Sequence, residues 1–383
     1  MTMKAHPLAR TGRPAHRLRD ASLLALAAPL SSAAALPEGT AHHVGGGDMG
    51  SLQERVSDVA VATTSPLNVC RVNPGFTHSF IDPYWFSGKS PEQVDFMLEA
   101  GEEVGITSVI MQWSAFRGAT GTVAAYSASP RLGFGTFNDA VPTLVKAIER
   151  RPLDLWMGLL VAPGIFSTTA SLTDDTLLNE LAHDTMLLAD DLYEKFGTAI
   201  DGWHLPIEPN YKTITSPDIA ARQGQWIRMI TDHLHQHYPT ISVMSSPSMP
   251  TAITAKKSPS TFVREFEPVM REAGIDVWNF QDGYKMTAWS PSTVAGALRQ
   301  AKAQAARYDA DVWAVMYTPG PGADGDAPIT PTRMQEYMKA IDGVGIRLSQ
   351  YMFTSYLNPD PTLQHGTVRA ENYKTYAAYC HGD

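Results

Sequence analysis

The stretch IDGWHLPIEPNYKTITSPDIAARQGQWIRMITDHLHQHYPTISVMSSP, residues 200–247, holds one complete strand–helix–strand unit. IDGWHLPIE (200–208) reads as a strand, 217–238 as a helix and TISVMSSP (240–247) as the next strand. Side chains alternate across an extended chain. Gly202, His204, Pro206 and Glu208 therefore share one face, and Trp203, Leu205 and Ile207 the other. The apolar face suits a covering helix layer, which leaves Glu208 aimed inward at the strand's end.

The same rhythm runs outward in both directions. Upstream, FTHSFIDPYW (76–85) is a strand with its exit loop. A helix over 91–105 follows, capped by Ser90 and stopped by Gly105, and then the strand ITSVIMQWS (106–114). A long loop, a helix over 137–151, the strand DLWMGLLVAP (154–163) and a helix over 174–197 complete that side. Downstream come a helix over 260–273, the strand DVWNFQDG (276–283), a helix over 292–308 and the strand DVWAVMYTP (311–319). A helix over 331–342, the strand GIRLSQYMFTSYL (345–357) and a last helix over 368–380 end the chain. Strands alternating with helices make a parallel sheet, and eight such units predict closure into a (β/α)8 TIM barrel, one α/β domain over 75–383. The alternative, an open doubly wound sheet, carries a glycine-rich phosphate turn after its first strand, and GFTHSFIDPYWFSG is no such turn.

The chain has 383 residues, 44% of them hydrophobic, and a formal charge of −9. Such a composition belongs to a globular protein, and an acidic chain of low charge density argues against nucleic acid or an anionic membrane as partner. Nothing in the sequence points to a protein partner. Residues 1–35 read as a secretory signal, with Lys4, Arg10, Arg13, Arg17 and Arg19 ahead of the apolar run Ala21–Leu36 and small residues at Ala33 and Ala35. That run is too short and interrupted to span a bilayer. Cleavage strips five positive charges and one negative, leaving the chain near −13 and secreted or periplasmic. Residues 36–74 form a glycine-rich extension in which His42 and His43 read as solvated linker. The two cysteines, Cys70 and Cys380, flank the barrel, and the first and last units of a closed barrel touch, so a disulfide between them is expected.

Barrel chemistry sits where strands end at the C-terminal face. The residues expected there are Asp82, Tyr84 and Trp85 after strand one, Gln112 and Trp113 after strand two, and Glu208 and Asn210 after strand four. Strand six contributes Gln281, Asp282 and Tyr284, strand seven Tyr317 and strand eight Tyr356. Aromatic faces stack on sugar rings while carboxylates and amides hold hydroxyls. A pair of flanking carboxylates is what glycoside hydrolysis requires. Glu208 is the candidate general acid, with Asp282 or Asp82 as the second carboxylate. His204, deeper on strand four, reads as a hydrogen-bonded interior residue beneath a bound ligand. Asp82 precedes Pro83 and Asp282 precedes Gly283, so either also suits a turn. The alternation on strand six leaves open whether Gln281 or Asp282 points inward.

Other motifs carry less. GPGADG (320–325) matches a dinucleotide fingerprint by letter, but Pro321 removes a backbone donor and DAPITP follows where a helix should begin. His233, His235 and His237 resemble a metal cluster, yet near a helix C-terminus histidines meet the dipole favourably. No metal and no cofactor are expected.

FIDPYW, VDFMLEAGEEVGITSVIMQWS, FGTAIDGWHLPIEPN, FQDGYKM and FTSYLNP occur in this order. Together they resemble an uncharacterised TIM-barrel family, domain family 4434, related to the glycoside hydrolase superfamily. The resemblance implies a barrel with a carbohydrate site at Gln112, Trp113, Glu208, Gln281 and Asp282. Retaining members of the wider superfamily place a second Glu at the end of strand seven, where this chain has VMYTPG. That departure keeps a second reading in view: a sugar-binding barrel without hydrolysis.

Overall fold

The computed structural model describes residues 75–162, 171–250, 257–282, 289–317, 330–360 and 366–382. The expected signal, the linker, Cys70, Tyr284 and the GPGADG loop lie outside them. The described strands, in chain order, are β1 (Phe76–Ile81), β2 (Ser108–Met111), β3 (Ala115–Gly118), β4 (Gly121–Ala124), β5 (Gly135–Thr136), β6 (Asp154–Gly158), β7 (Leu160–Val161), β8 (Gly202–Leu205), β9 (Ser242–Ser245), β10 (Val277–Gln281), β11 (Asp311–Tyr317) and β12 (Arg347–Tyr351). Eight of these, β1, β2, β6, β8, β9, β10, β11 and β12, pair in that order and close β12 onto β1 as a parallel barrel. The fold is the expected TIM barrel.

Alternation divides each strand between two cores. Phe80, Ile110, Trp156, Met244, Val277, Trp313 and Val315 fill the barrel interior. Trp203, Trp278 and Phe280, on the opposite parity, join the larger core beneath the helices. The interior is tight enough to require glycine. A Cβ on Gly202 would sit closer than 3.0 Å to three atoms of the Trp156 ring on the neighbouring strand.

The helices are α1 (Pro91–Glu103), α2 (Ala140–Ile148), α3 (Asp175–Phe196), α4 (Pro217–His237), α5 (Pro259–Ala273), α6 (Pro291–Ala305), α7 (Pro331–Asp342), a short α8 (Phe353–Tyr356) and α9 (Gly366–His381). Serine then proline opens α1, α4, α5 and α6. The side chains of Ser90, Ser216, Ser258 and Ser290 accept from the amides of Gln93, Ile219, Thr261 and Thr293. The serine satisfies an orphan amide, while proline brings a preset φ and no N–H to leave unpaired. No helix among the described residues is long and apolar enough to cross a membrane.

Three expectations need correction. The strand expected over 200–208 keeps its ladder only over Gly202–Leu205, because Pro206 and Pro209 have no N–H to donate. The strand expected over 345–357 stops at Tyr351. Met352, Phe353 and Thr354 are buried in succession, a pattern alternation cannot give, and the chain turns into α8. Tyr356 thus stands in a helix and not at a strand end. The long loop after the second barrel strand carries β3, β4 and β5, which join β7 from beyond β6 in a small second sheet ordered β5-β4-β3-β7, in which β3 and β4 form a tight hairpin between Gly118 and Gly121.

Candidate active site

The inward face of β8 continues past the strand to Glu208. The loop that carries it is held by the next two strands: Ser248 N donates to Pro209 O (3.0 Å), and Gln281 N donates to Pro247 O (2.9 Å). Gln281, the last residue of β10, then turns its amide inward. Its Nε2 donates to Glu208 Oε1 at 2.7 Å and to the Ser246 carbonyl at 2.9 Å. This resolves the open register of β10. Asn279, on the same parity as Gln281, also points inward and donates to Ser349 Oγ at 3.1 Å.

Below Glu208 lies a floor. Ser246 Oγ is 3.4 Å from His204 Nε2. The His204 ring meets Phe80 edge-on at 5.3 Å, and Phe80 lies 5.7 Å from the Tyr351 ring. Gln112 Nε2 donates to Tyr351 Oη at 3.2 Å. A continuous inner surface therefore runs from Glu208 on the β8 side through Phe80 to Gln112 and Tyr351.

The electrostatics follow from burial. Glu208 is half-buried, and loss of water pushes its carboxyl up to about 7, opposed by the hydrogen bond from Gln281. His204 is pushed down to about 4 by burial, so near neutral pH it is an uncharged floor residue. Asp82, two residues beyond Phe80 and on its parity, is pushed up to about 6 by burial, opposed by the Tyr84 amide. Its Oδ1 accepts from Tyr84 N at 2.9 Å, so it also shapes the turn. Burial thus sets the two carboxyls apart, Glu208 keeping its proton to near neutrality and Asp82 losing its own about one pH unit lower.

The other expected residues fall in several places. Asp282 is buried and follows the outward parity of Trp278 and Phe280, its amide donating to Val315 O at 3.1 Å. Trp113 is buried as well, and its ring supports exposed Tyr84 at 5.2 Å, with Phe137 4.8 Å from Tyr84. These three rings form an aromatic ledge beside the ends of β1 and β2. Trp85 turns away, into a groove with Lys89 and Phe96. Asn210 braces its own loop, donating from Nδ2 to the Glu208 carbonyl at 3.0 Å. Tyr317 closes β11.

Sequence reasoning missed Ser246, Tyr351, Phe80 and Phe137. Tyr351 and Ser246 were legible as inward residues at strand ends, had the ends of the strands containing them been set correctly. Phe137 comes from the second sheet and had no signal of its own.

Residues 91–362 match the model of a family described as Domain of unknown function (DUF4434). No curated protein matches the chain. Among solved structures, the chain is similar to a candidate alpha-L-fucosidase from Bacteroides thetaiotaomicron VPI-5482, at 17% identity and TM-score 0.65, over 80% of this chain and 95% of that one. It is also similar to the endo-beta-1,4-mannanase from Thermotoga petrophila, at 12% identity and TM-score 0.52, over 83% of this chain and 79% of that one. At such identities the likeness is one of fold.

Proposed function

The chain belongs to the DUF4434 family of TIM barrels, and on that premise we propose that it is a glycoside hydrolase acting on an oligo- or polysaccharide, with Glu208 as general acid. The observation that carries this reading is the Glu208 carboxyl itself. It stands inward at the mouth, anchored by Gln281 at 2.7 Å, and stays protonated up to about pH 7. A leaving glycosidic oxygen needs a proton from such a group. Asp82 is the better second carboxylate: it shares the inward parity of Phe80, whereas Asp282 is buried on the outward one. Exposed Tyr84 and Phe137, backed by buried Trp113, offer an apolar face for a sugar ring beside Asp82. The solved relatives named as a fucosidase and a mannanase share the fold and support this substrate class.

A second reading, sugar binding without turnover, is favoured by one observation. β11 ends at Val315, Met316 and Tyr317, without the strand-seven carboxylate that retaining relatives carry. A glycan panel separates the two. Under the enzyme reading the purified chain hydrolyses at least one glycan, and Glu208→Gln lowers the rate about 10²–10⁴-fold, the range general acid catalysis supplies. Turnover unchanged in Glu208→Gln removes Glu208 from the chemistry. Binding without turnover in both proteins establishes the second reading.

A further inference from the structure

Far from the mouth, α3 and α4 bring together three side chains that their sequence positions do not unite. His233 and His237 are one turn apart on α4 and face the same way, their rings stacked at 4.3 Å and 19°. Asp190 approaches from α3, its Oδ1 2.8 Å from His233 Nε2. One ligand atom from each residue lies within 4.8 Å of the other two. The carboxylate is held in place by a second partner, Tyr238, whose Oη donates to Asp190 Oδ1 at 2.7 Å. Asp190 and His233 are half-buried, and His237 is exposed.

We propose that Asp190, His233 and His237 form a binding site for a divalent transition-metal ion, of which Zn²⁺ is the type. Two imidazoles and a carboxylate suit Zn²⁺, Co²⁺, Ni²⁺ or Cu²⁺, whereas Ca²⁺ and Mg²⁺ prefer oxygen alone. The dipole at the end of α4 explains a histidine there, but not an aspartate from another helix bonded to one imidazole with a second imidazole's ligand atom within 4.8 Å. Tyr238 supplies the outer hydrogen bond that usually orients a ligating carboxylate. Tetrahedral bonds of about 2.1 Å separate ligand atoms by about 3.4 Å. The His233–Asp190 pair must therefore open slightly and the exposed His237 ring swing inward, while the neutral His233 imidazole carries its hydrogen on Nδ1 and leaves Nε2 free for the ion. Solvent on the His237 side would fill the remaining position.

The location sets the role. α4 leads into the start of β9, so its C-terminal turn lies at the end of the barrel opposite the mouth, where groups serve stability rather than turnover. An ion there pins α3 to α4.

The test is a titration of the full, tag-free chain with ZnCl₂, followed by calorimetry and thermal unfolding, with CoCl₂ as a spectroscopic probe. One equivalent is expected to bind and to raise the unfolding temperature. His237→Ala, which removes an exposed ring, and Asp190→Asn should each weaken binding at least about tenfold. They should also abolish the thermal shift and the visible Co²⁺ bands. His235→Ala is the control: that ring bonds Asp276 at 2.9 Å, away from the site, and its loss should leave binding intact. Absence of saturable binding in the wild type, binding that survives His237→Ala, or binding lost equally in His235→Ala would each overturn the site.

Discussion

At the scale of single residues, Glu208 carries a cost that can be measured without knowing the substrate. Burial pushes its carboxyl up to about 7 in the folded chain against an ordinary glutamate value of 4.5. Between those values the folded state keeps a proton that the unfolded state has lost. Stability therefore falls as pH rises through that window and levels off above about 7. Glutamine has no proton to lose. Glu208→Gln should thus match the wild type near pH 4.5 and exceed it progressively up to pH 8, by at most about 3 kcal/mol. Urea unfolding of both proteins across this range reads the difference directly, and a constant offset at all pH values would show that burial does not set this pKa. Glu208 was legible in the sequence because a carboxylate among apolar neighbours on one strand has only the mouth to face. Gln281 was named too, but its hydrogen bond to Glu208 was not, because the period of β10 is satisfied by either register. The structure shows which parity points in, through Gln281 on Glu208 and the neighbouring Asn279 bonded to Ser349 across the interior.

At the scale of elements, the barrel interior rests on a close fit between β6 and β8. Gly202 lies against the face of Trp156, and any Cβ there overlaps the ring. Neither side can yield easily, since Trp156 is itself packed at 5.3 Å against Trp313. Gly202→Ala should destabilise the fold by about 3 kcal/mol, toward the upper end for overpacking. Denaturant midpoints would show it, and a loss below about 0.5 kcal/mol would mean the interior has room to relax. The order of strands and helices was readable in the sequence because helices and strands differ in period and each helix has marked ends, as with the Ser-Pro openings of α1, α4, α5 and α6. The small sheet was not. Its strands run from two to four residues, too short to show a period, and they are stabilised by packing beside the barrel rather than by their own pattern. The end of β12 was misjudged for the related reason that α8 is a single turn, within which helical and extended burial look alike.

At the scale of the whole molecule, the last helix returns to the first strand. Tyr376 Oη accepts from the backbone N–H of Phe76 at 2.6 Å, and the two rings lie 4.6 Å apart. One turn later Cys380 is buried, its Sγ 3.3 Å from the Val104 carbonyl. Cys70 precedes Phe76 by six residues, a segment that spans at most about 20 Å when extended. The ends of the barrel are therefore close enough for the Cys70–Cys380 bond expected of an exported chain, and we propose that it forms. The proposal rests on export: a basic segment followed by an apolar run reads as a secretory signal, and in an oxidising compartment paired thiols oxidise. The bond would close a loop of about 310 residues, for which the chain-entropy estimate exceeds about 4 kcal/mol, although measured gains are often smaller. The exported, unreduced protein should release no titratable thiol on unfolding in guanidinium, and two after reduction. Reduction should lower the unfolding midpoint in the wild type and leave Cys380→Ser unaffected. Two thiols titrating in the unfolded, unreduced chain would exclude the bond, and the closure of the barrel would then rest on non-covalent contacts such as the β1–β12 ladder and the packing of Tyr376 on Phe76.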